Sequence, residues 1–92
     1  MFKRELIDAV AYKSHTAKID VKAVIDATLD VIRDELIAGG KVTLPYFGTF
    51  KVKDRAARRI LNPRTGEEIQ LPASKLPVFT AGRAFKAAVN PS

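Results

Sequence analysis

Five closely spaced cations are the residues of this sequence best placed to do chemistry. They are Lys51, Lys53, Arg55, Arg58 and Arg59, and the turn-forming run Asn62-Pro63-Arg64-Thr65-Gly66 follows them. Cations at that density neutralise a row of negative charges, and a turn proline offers a rigid apolar edge with no N–H to leave unsatisfied. Other reactive types are sparse. His15 is the single histidine and there is no cysteine, which argues against a zinc site of the Cys type and against a His-assisted nucleophile. Gly40-Lys41 ends like a phosphate-binding loop, but Val42 stands where Ser or Thr is needed and Glu35 where the first glycine belongs. Glu67 and Glu68 are neighbours on an extended segment and point to opposite faces, so they make no acid–base pair. The chain reads as a non-enzyme without metal, cofactor or small-molecule substrate.

The formal charge of +6 is unevenly spread. Residues 1–40 carry six Lys/Arg against seven Asp/Glu, whereas residues 41–92 carry ten against three. An excess confined to one half points to a polyanion, either nucleic acid or an anionic membrane surface. Membrane binding calls for cations along the polar face of an amphipathic helix, and the polar face of the long N-terminal helix is mixed and mostly acidic. No apolar run approaches the roughly 20 residues that span a bilayer, and charges interrupt the first eleven residues where a signal peptide would be apolar.

The elements that must position these cations follow from periodicity. Residues 3–13 carry an apolar stripe of Leu6, Ile7, Val10 and Ala11. A second helix is expected after Ser14-His15-Thr16, with Thr16 as its N-cap and Val21, Val24, Ile25, Thr28, Leu29, Ile32 and Leu36 as its stripe. Gly39-Gly40 ends it. From Lys41 the period becomes two, giving a strand through Val42 and Leu44, a turn, and a second strand through Phe50 and Val52. The Asn-Pro-x-x-Gly turn then sends the chain back through Glu68 to Leu71, with Pro72 and Pro77 confining the return to an edge or a bulge. Thr80 is the expected cap of a last helix with the stripe Ala84, Phe85, Ala88 and Val89. The fold class is α+β: a helical hairpin, a three-stranded antiparallel sheet, a long β-ribbon arm and a C-terminal helix. One domain over 1–92 is expected, divided into a helical part (1–40), sheet segments (41–53 and 76–81), an arm (54–75) and a last helix (82–90).

This order resembles the HU/IHF family of bacterial DNA-bending proteins from Met1 to Val89. The likeness is carried by Glu5-Leu6-Ile7-Asp8, Phe47-Gly48-Thr49-Phe50, Arg55-Ala56-Ala57-Arg58, Asn62 through Ile69, Pro72-Ala73-Ser74-Lys75 and Phe79-Thr80-Ala81-Gly82. The resemblance implies an intertwined dimer with a saddle-shaped sheet and two arms that reach round double-stranded DNA. In this family the tip proline, here Pro63 beside Asn62, wedges between base pairs from the minor groove. It also implies that Arg55, Arg58, Arg59 and Arg64 line the minor groove and phosphates, and that Lys3, Lys53, Lys75, Arg83 and Lys86 suit phosphate contacts. The chain's size supports the dimer independently. Three short helices and a thin sheet make a poor core, and a second copy would cover Leu29, Ile32 and Leu36 together with Phe47, Phe50, Phe79 and Phe85. A homodimer is expected, with a heterodimer, as in some family members, the alternative.

Two places depart from the family pattern. Ile60 and Leu61 stand where glycine and arginine usually precede the tip, so they either add an apolar contact beside the wedge or stiffen the arm. Pro45-Tyr46 replaces a pair of smaller residues before Phe47, and Tyr46 is expected either to pack across the dimer or to reach DNA. The expected function is architectural DNA bending and compaction with low sequence specificity in a bacterial or virus-encoded nucleoid protein of the cytoplasm. The alternatives are a site-preferring bender of the integration-host-factor kind and a structured-RNA binder.

Overall fold

In the computed structural model, which describes residues 1–90, the first apolar stripe winds into α1 (Lys3–Ser14). The Glu5 carboxylate accepts a hydrogen bond from the Phe2 amide at 3.3 Å, the half of a capping box that needs no Ser or Thr at the cap. His15 closes α1 in the left-handed conformation at φ 54°, a geometry histidine takes more readily than most non-glycine residues. Thr16 does not cap the second helix. Its hydroxyl donates backwards to the Ser14 carbonyl at 3.1 Å, one of the carbonyls that the end of α1 leaves without a helical partner. α2 (Lys18–Ile37) starts instead on the Ala17 carbonyl, which accepts from the Asp20 and Val21 amides. Gly39, at φ 88°, ends it by donating its amide to the Leu36 carbonyl at 3.0 Å.

The helices are stitched by ion pairs from Lys18 to Asp8 at 3.1 Å and from Lys3 to Asp26. Their contact is thin. Ala11 and Val21, 7% and 4% exposed, are the only buried apolar residues among those described, and no large side chain is fully buried. The residues up to Glu35 form one compact unit and those from Leu36 onward a second.

In the second unit, β1 (Val42–Leu44), β2 (Gly48–Arg55) and β5 (Ser74–Ala81) make an antiparallel sheet in the order β1-β2-β5. β3 (Arg58–Leu61) and β4 (Glu68–Leu71) make a separate two-stranded ribbon. Pro77 lies in β5, an edge strand, where a missing N–H costs no ladder bond, and Pro72 lies in the break between β4 and β5. The three-stranded sheet runs further than its expected limits at 53 and 76, because Asp54 pairs with Lys75 and Arg55 with Ser74. α3 (Arg83–Val89) is capped by Gly82 and not by Thr80, which is the ladder partner of Thr49 in β5.

Register puts Val42, Phe50, Val52, Pro77 and Phe79 on one sheet face. Phe79 is the hub of that face, with ring centroids 4.8 Å from Phe50, 5.3 Å from Phe47 and 6.2 Å from Phe85. Gly48 makes the cluster fit. A Cβ there would lie 2.5 Å from the Thr80 carbonyl oxygen and 2.6 Å from the Phe79 ring, and neither backbone nor packed ring can give way cheaply. Gly48→Ala is expected to lower stability by about 3 kcal/mol, the upper range for overpacking, read as a fall in urea midpoint at fixed protein concentration.

The link from β1 to β2 is a tight turn in which the Phe47 amide donates to the Leu44 carbonyl at 3.1 Å. Pro45 takes the second position. Tyr46 takes the third at φ 65°, where glycine is the usual occupant, and this left-handed backbone costs a bulky residue about 1–2 kcal/mol.

Candidate nucleic-acid interface

The second sheet face is basic. Successive side chains on β2 alternate, so Lys51, Lys53 and Arg55 point away from the phenylalanines, and all three are exposed. Their neighbours on that face are Leu76 and Val78 of β5 and the hydroxyl residues Thr43, Thr49 and Thr80, with Thr49 Oγ1 donating to Thr43 Oγ1 at 3.4 Å. No carboxylate of the three strands shares the face. Lys51, one of the five cations the sequence sets together, shares this face with Lys53 because it is the i−2 neighbour on a strand of period two. Lys75 falls on the other side. It pairs with Asp54 on the phenylalanine face, so the ladder separates it from Lys53.

The ribbon continues this ladder. Arg58 pairs with Leu71 in the register that Arg55 and Ser74 set, with residues 56–57 and 72–73 left unpaired between them. The break contains Ala56, Ala57, Pro72 and Ala73, small or rigid residues that allow the ribbon to bend without stranding a large side chain. Arg58 and Arg59 lie on opposite faces of the ribbon, and both are exposed. Arg59 Nη1 is 3.8 Å from Glu68 Oε2, a solvated pair that contributes well under about 1 kcal/mol. Ile60 sits directly opposite Ile69 with Leu71 on the same face, whereas Leu61 lies opposite Glu68 and is 65% exposed. Of the two unusual residues, Ile60 forms a cross-strand apolar pair and Leu61 is an open apolar side chain two residues before Pro63.

Four hydrogen bonds shape the tip. Asn62 Oδ1 accepts from the Arg64 amide at 2.9 Å, the Asn62 carbonyl accepts from the Gly66 amide at 2.8 Å, and the Asn62 amide donates to the Glu67 carbonyl at 2.9 Å. Thr65 Oγ1 accepts from the Glu67 amide at 3.3 Å, and Gly66 supplies the left-handed residue at φ 73°. Pro63 and Arg64 are both exposed there, in a loop shaped by these four hydrogen bonds.

On α3, Arg83 and Lys86 are exposed and three residues apart, which puts them on one side of the helix. Lys3 belongs to the first unit and is engaged by Asp26, which also accepts from Lys22 Nζ at 2.9 Å. The hydrogen bond from Lys22, followed by that from Lys3, holds the Asp26 carboxyl below the usual carboxylate range. A depressed folded pKa stabilises the fold above the unfolded pKa, and the gain is lost as pH falls through the folded value. Because Lys22 and Lys3 are exposed, solvent screens both pairs and the effect is small. Asp26→Asn will flatten the acid limb of the stability–pH curve relative to wild type, and coincident curves in urea titrations at low pH would remove Asp26 from that account.

Among the described residues no three His, Asp or Glu side chains gather as metal ligands would, and no helix is long and apolar enough to cross a membrane.

The family model described as bacterial DNA-binding protein matches residues 1–90. The DNA-binding protein HU of Geobacillus stearothermophilus is 51% identical over 90 residues, which is 98% of this chain and 100% of that protein. DNA-binding protein HU 1 of Bacillus subtilis is 49% identical over 97% of each chain. Among solved structures, the Anabaena HU–DNA cocrystal structure is similar with a TM-score of 0.92 at 42% identity, covering 100% of both chains. HU from Thermotoga maritima gives 0.70 at 32%, covering 98% of this chain and 100% of that one.

Proposed function

Because the chain belongs to the HU family of bacterial DNA-binding proteins, we propose that it is an architectural protein of the bacterial nucleoid that bends and compacts double-stranded DNA as a homodimer. The observation that carries this reading is the geometry of the ribbon. An exposed proline stands in a hydrogen-bonded tip, on an arm whose ladder is in register with a sheet face bearing three cations and no acid.

Each part has a task in such a mechanism. Lys51, Lys53 and Arg55 hold the phosphates of the duplex against the sheet, and Arg58, Arg59 and Arg64 follow the minor groove along the arm. Pro63 enters a base step and partly unstacks it, at a cost of about a few kcal/mol that added phosphate contact offsets. Leu61, two residues before it, widens the apolar edge. Arg83, Lys86 and Lys75 add phosphate contacts outside the groove. Lys3 does so by exchanging Asp26 for a phosphate. Minor-groove base edges offer little code, so the protein selects width and deformability, and its preference falls on bent, nicked or A·T-rich duplex.

The test is binding to a short duplex with fluorophores at its two ends. Energy transfer between the ends will rise on binding, and the affinity will fall steeply with salt. Binding with unchanged end-to-end distance would leave a DNA-binding protein but remove the bending.

A further inference from the structure

Tyr46 is the one bulky residue of the sheet turns held at positive φ, and its side chain finds no use within the chain: the residue is 90% exposed. Glycine would hold the same turn without strain, and the exposed tyrosine ring is open to a contact from outside the chain. Its surroundings indicate which. Tyr46 borders a groove between the 44–47 turn and the start of α3, shared with Thr43, Thr49, Arg83, Ala84 and Ala87. Among the described residues Arg83 is the single charged side chain lining the groove, and no carboxylate enters it. Thr43 and Thr49 also belong to the sheet face that carries Lys51, so the groove is continuous with the basic face.

We propose that this groove is a subsite for one sugar–phosphate unit of duplex DNA beyond the stretch held by the arm. Arg83 and the two threonine hydroxyls meet the phosphate, and the Tyr46 ring lies against the sugar. One cation, two hydroxyls and an aromatic face match the alternation of charge and apolar ring surface along a nucleic-acid backbone. The inference rests on the DNA-binding reading above and adds a contact that comes from this chain's own turn.

The experiment compares wild type, Tyr46→Gly and Tyr46→Phe by fluorescence anisotropy across a salt series. The probes are a long duplex and one trimmed to the arm-spanning segment. Tyr46→Gly will raise the thermal midpoint by about 4 °C, since the strain is gone, yet weaken binding to the long duplex by about fivefold at every salt concentration. The slope of log affinity against log salt will not change, because no charge is removed. Tyr46→Phe will bind like wild type, and the trimmed duplex will not distinguish the three proteins. Wild-type affinity of Tyr46→Gly for the long duplex overturns the subsite while leaving DNA binding intact. A loss that instead tracks weakened dimerisation assigns Tyr46 to the second copy and overturns it too. Absence of DNA binding by wild type removes both readings.

Discussion

Leu29→Asp will abolish the folded protein at micromolar concentration, while the wild type will sediment as one species of twice the 10.1 kDa chain mass. The cost of this substitution depends on whether a second copy is present. In the single chain Leu29 is 52% exposed, on the same α2 stripe as Ile32 and Leu36. If the chain folded alone, an aspartate there would cost only its weaker helix propensity, about half a kcal/mol. If a second copy covers the stripe, the same aspartate becomes an unpaired buried charge costing about 3–5 kcal/mol on each side of a symmetric contact.

The burial pattern favours the second case. The sequence is 47% hydrophobic, yet two small or medium apolar residues are all that one described chain buries. Phe47 and Phe79 remain 45% and 40% exposed although they pack on each other. Chains of this size have little stability to spare, and disulfide support is absent. The same view requires the thermal midpoint to rise with protein concentration, because association stabilises only the folded state. A stable 10.1 kDa monomer with a concentration-independent midpoint, in which Leu29→Asp is tolerated, would overturn the dimer.

Much of this architecture is legible in the sequence because its signals are local. The 3.6-residue stripe from Val21 to Leu36, the glycine stop after Ile37 and the Asn62–Gly66 turn are each read within a few residues, and each appears at its place. The helix caps are less legible. Thr16 and Thr80 have the right chemistry, but one hydroxyl is taken by the preceding helix end and the other residue remains within a ladder, so Ala17 and Gly82 begin the helices. Cap preference is a competition among nearby partners that composition alone does not settle.

Register is the other gap. Whether Lys75 shares a face with Lys53 depends on a parity fixed by pairing across the sheet, and moving the ladder by one residue would reverse it. The sequence contains both cations but does not spell out the pairing. Tyr46 is similar: its residue type is plain, but the Leu44–Phe47 hydrogen bond is common to turns of either φ sign at this position, so its positive φ is seen only in the structure.

Pro63→Ala will uncouple DNA bending from DNA docking. In the end-labelled duplex, energy transfer will drop towards that of free DNA, and affinity for nicked or pre-bent duplex will fall by about tenfold, the equivalent of about 1.4 kcal/mol. The salt dependence will survive. If a dimer neutralises about 8 phosphates, log affinity falls against log salt with a slope of roughly −7, and removing an uncharged wedge alters that slope only through the phosphates released as the duplex straightens. The tip geometry makes the comparison a fair one. The hydrogen bonds that shape the loop belong to Asn62, Arg64, Thr65, Gly66 and Glu67, so alanine at 63 removes the rigid apolar edge and leaves those bonds available. Arg64→Ala provides the opposite signature, since it removes one cation from each arm and should reduce the slope by about 2 per dimer while leaving the wedge in place. Should Pro63→Ala bend DNA as wild type does, the wedge belongs to another residue. Leu61, open and apolar two positions earlier, is then the next side chain to remove.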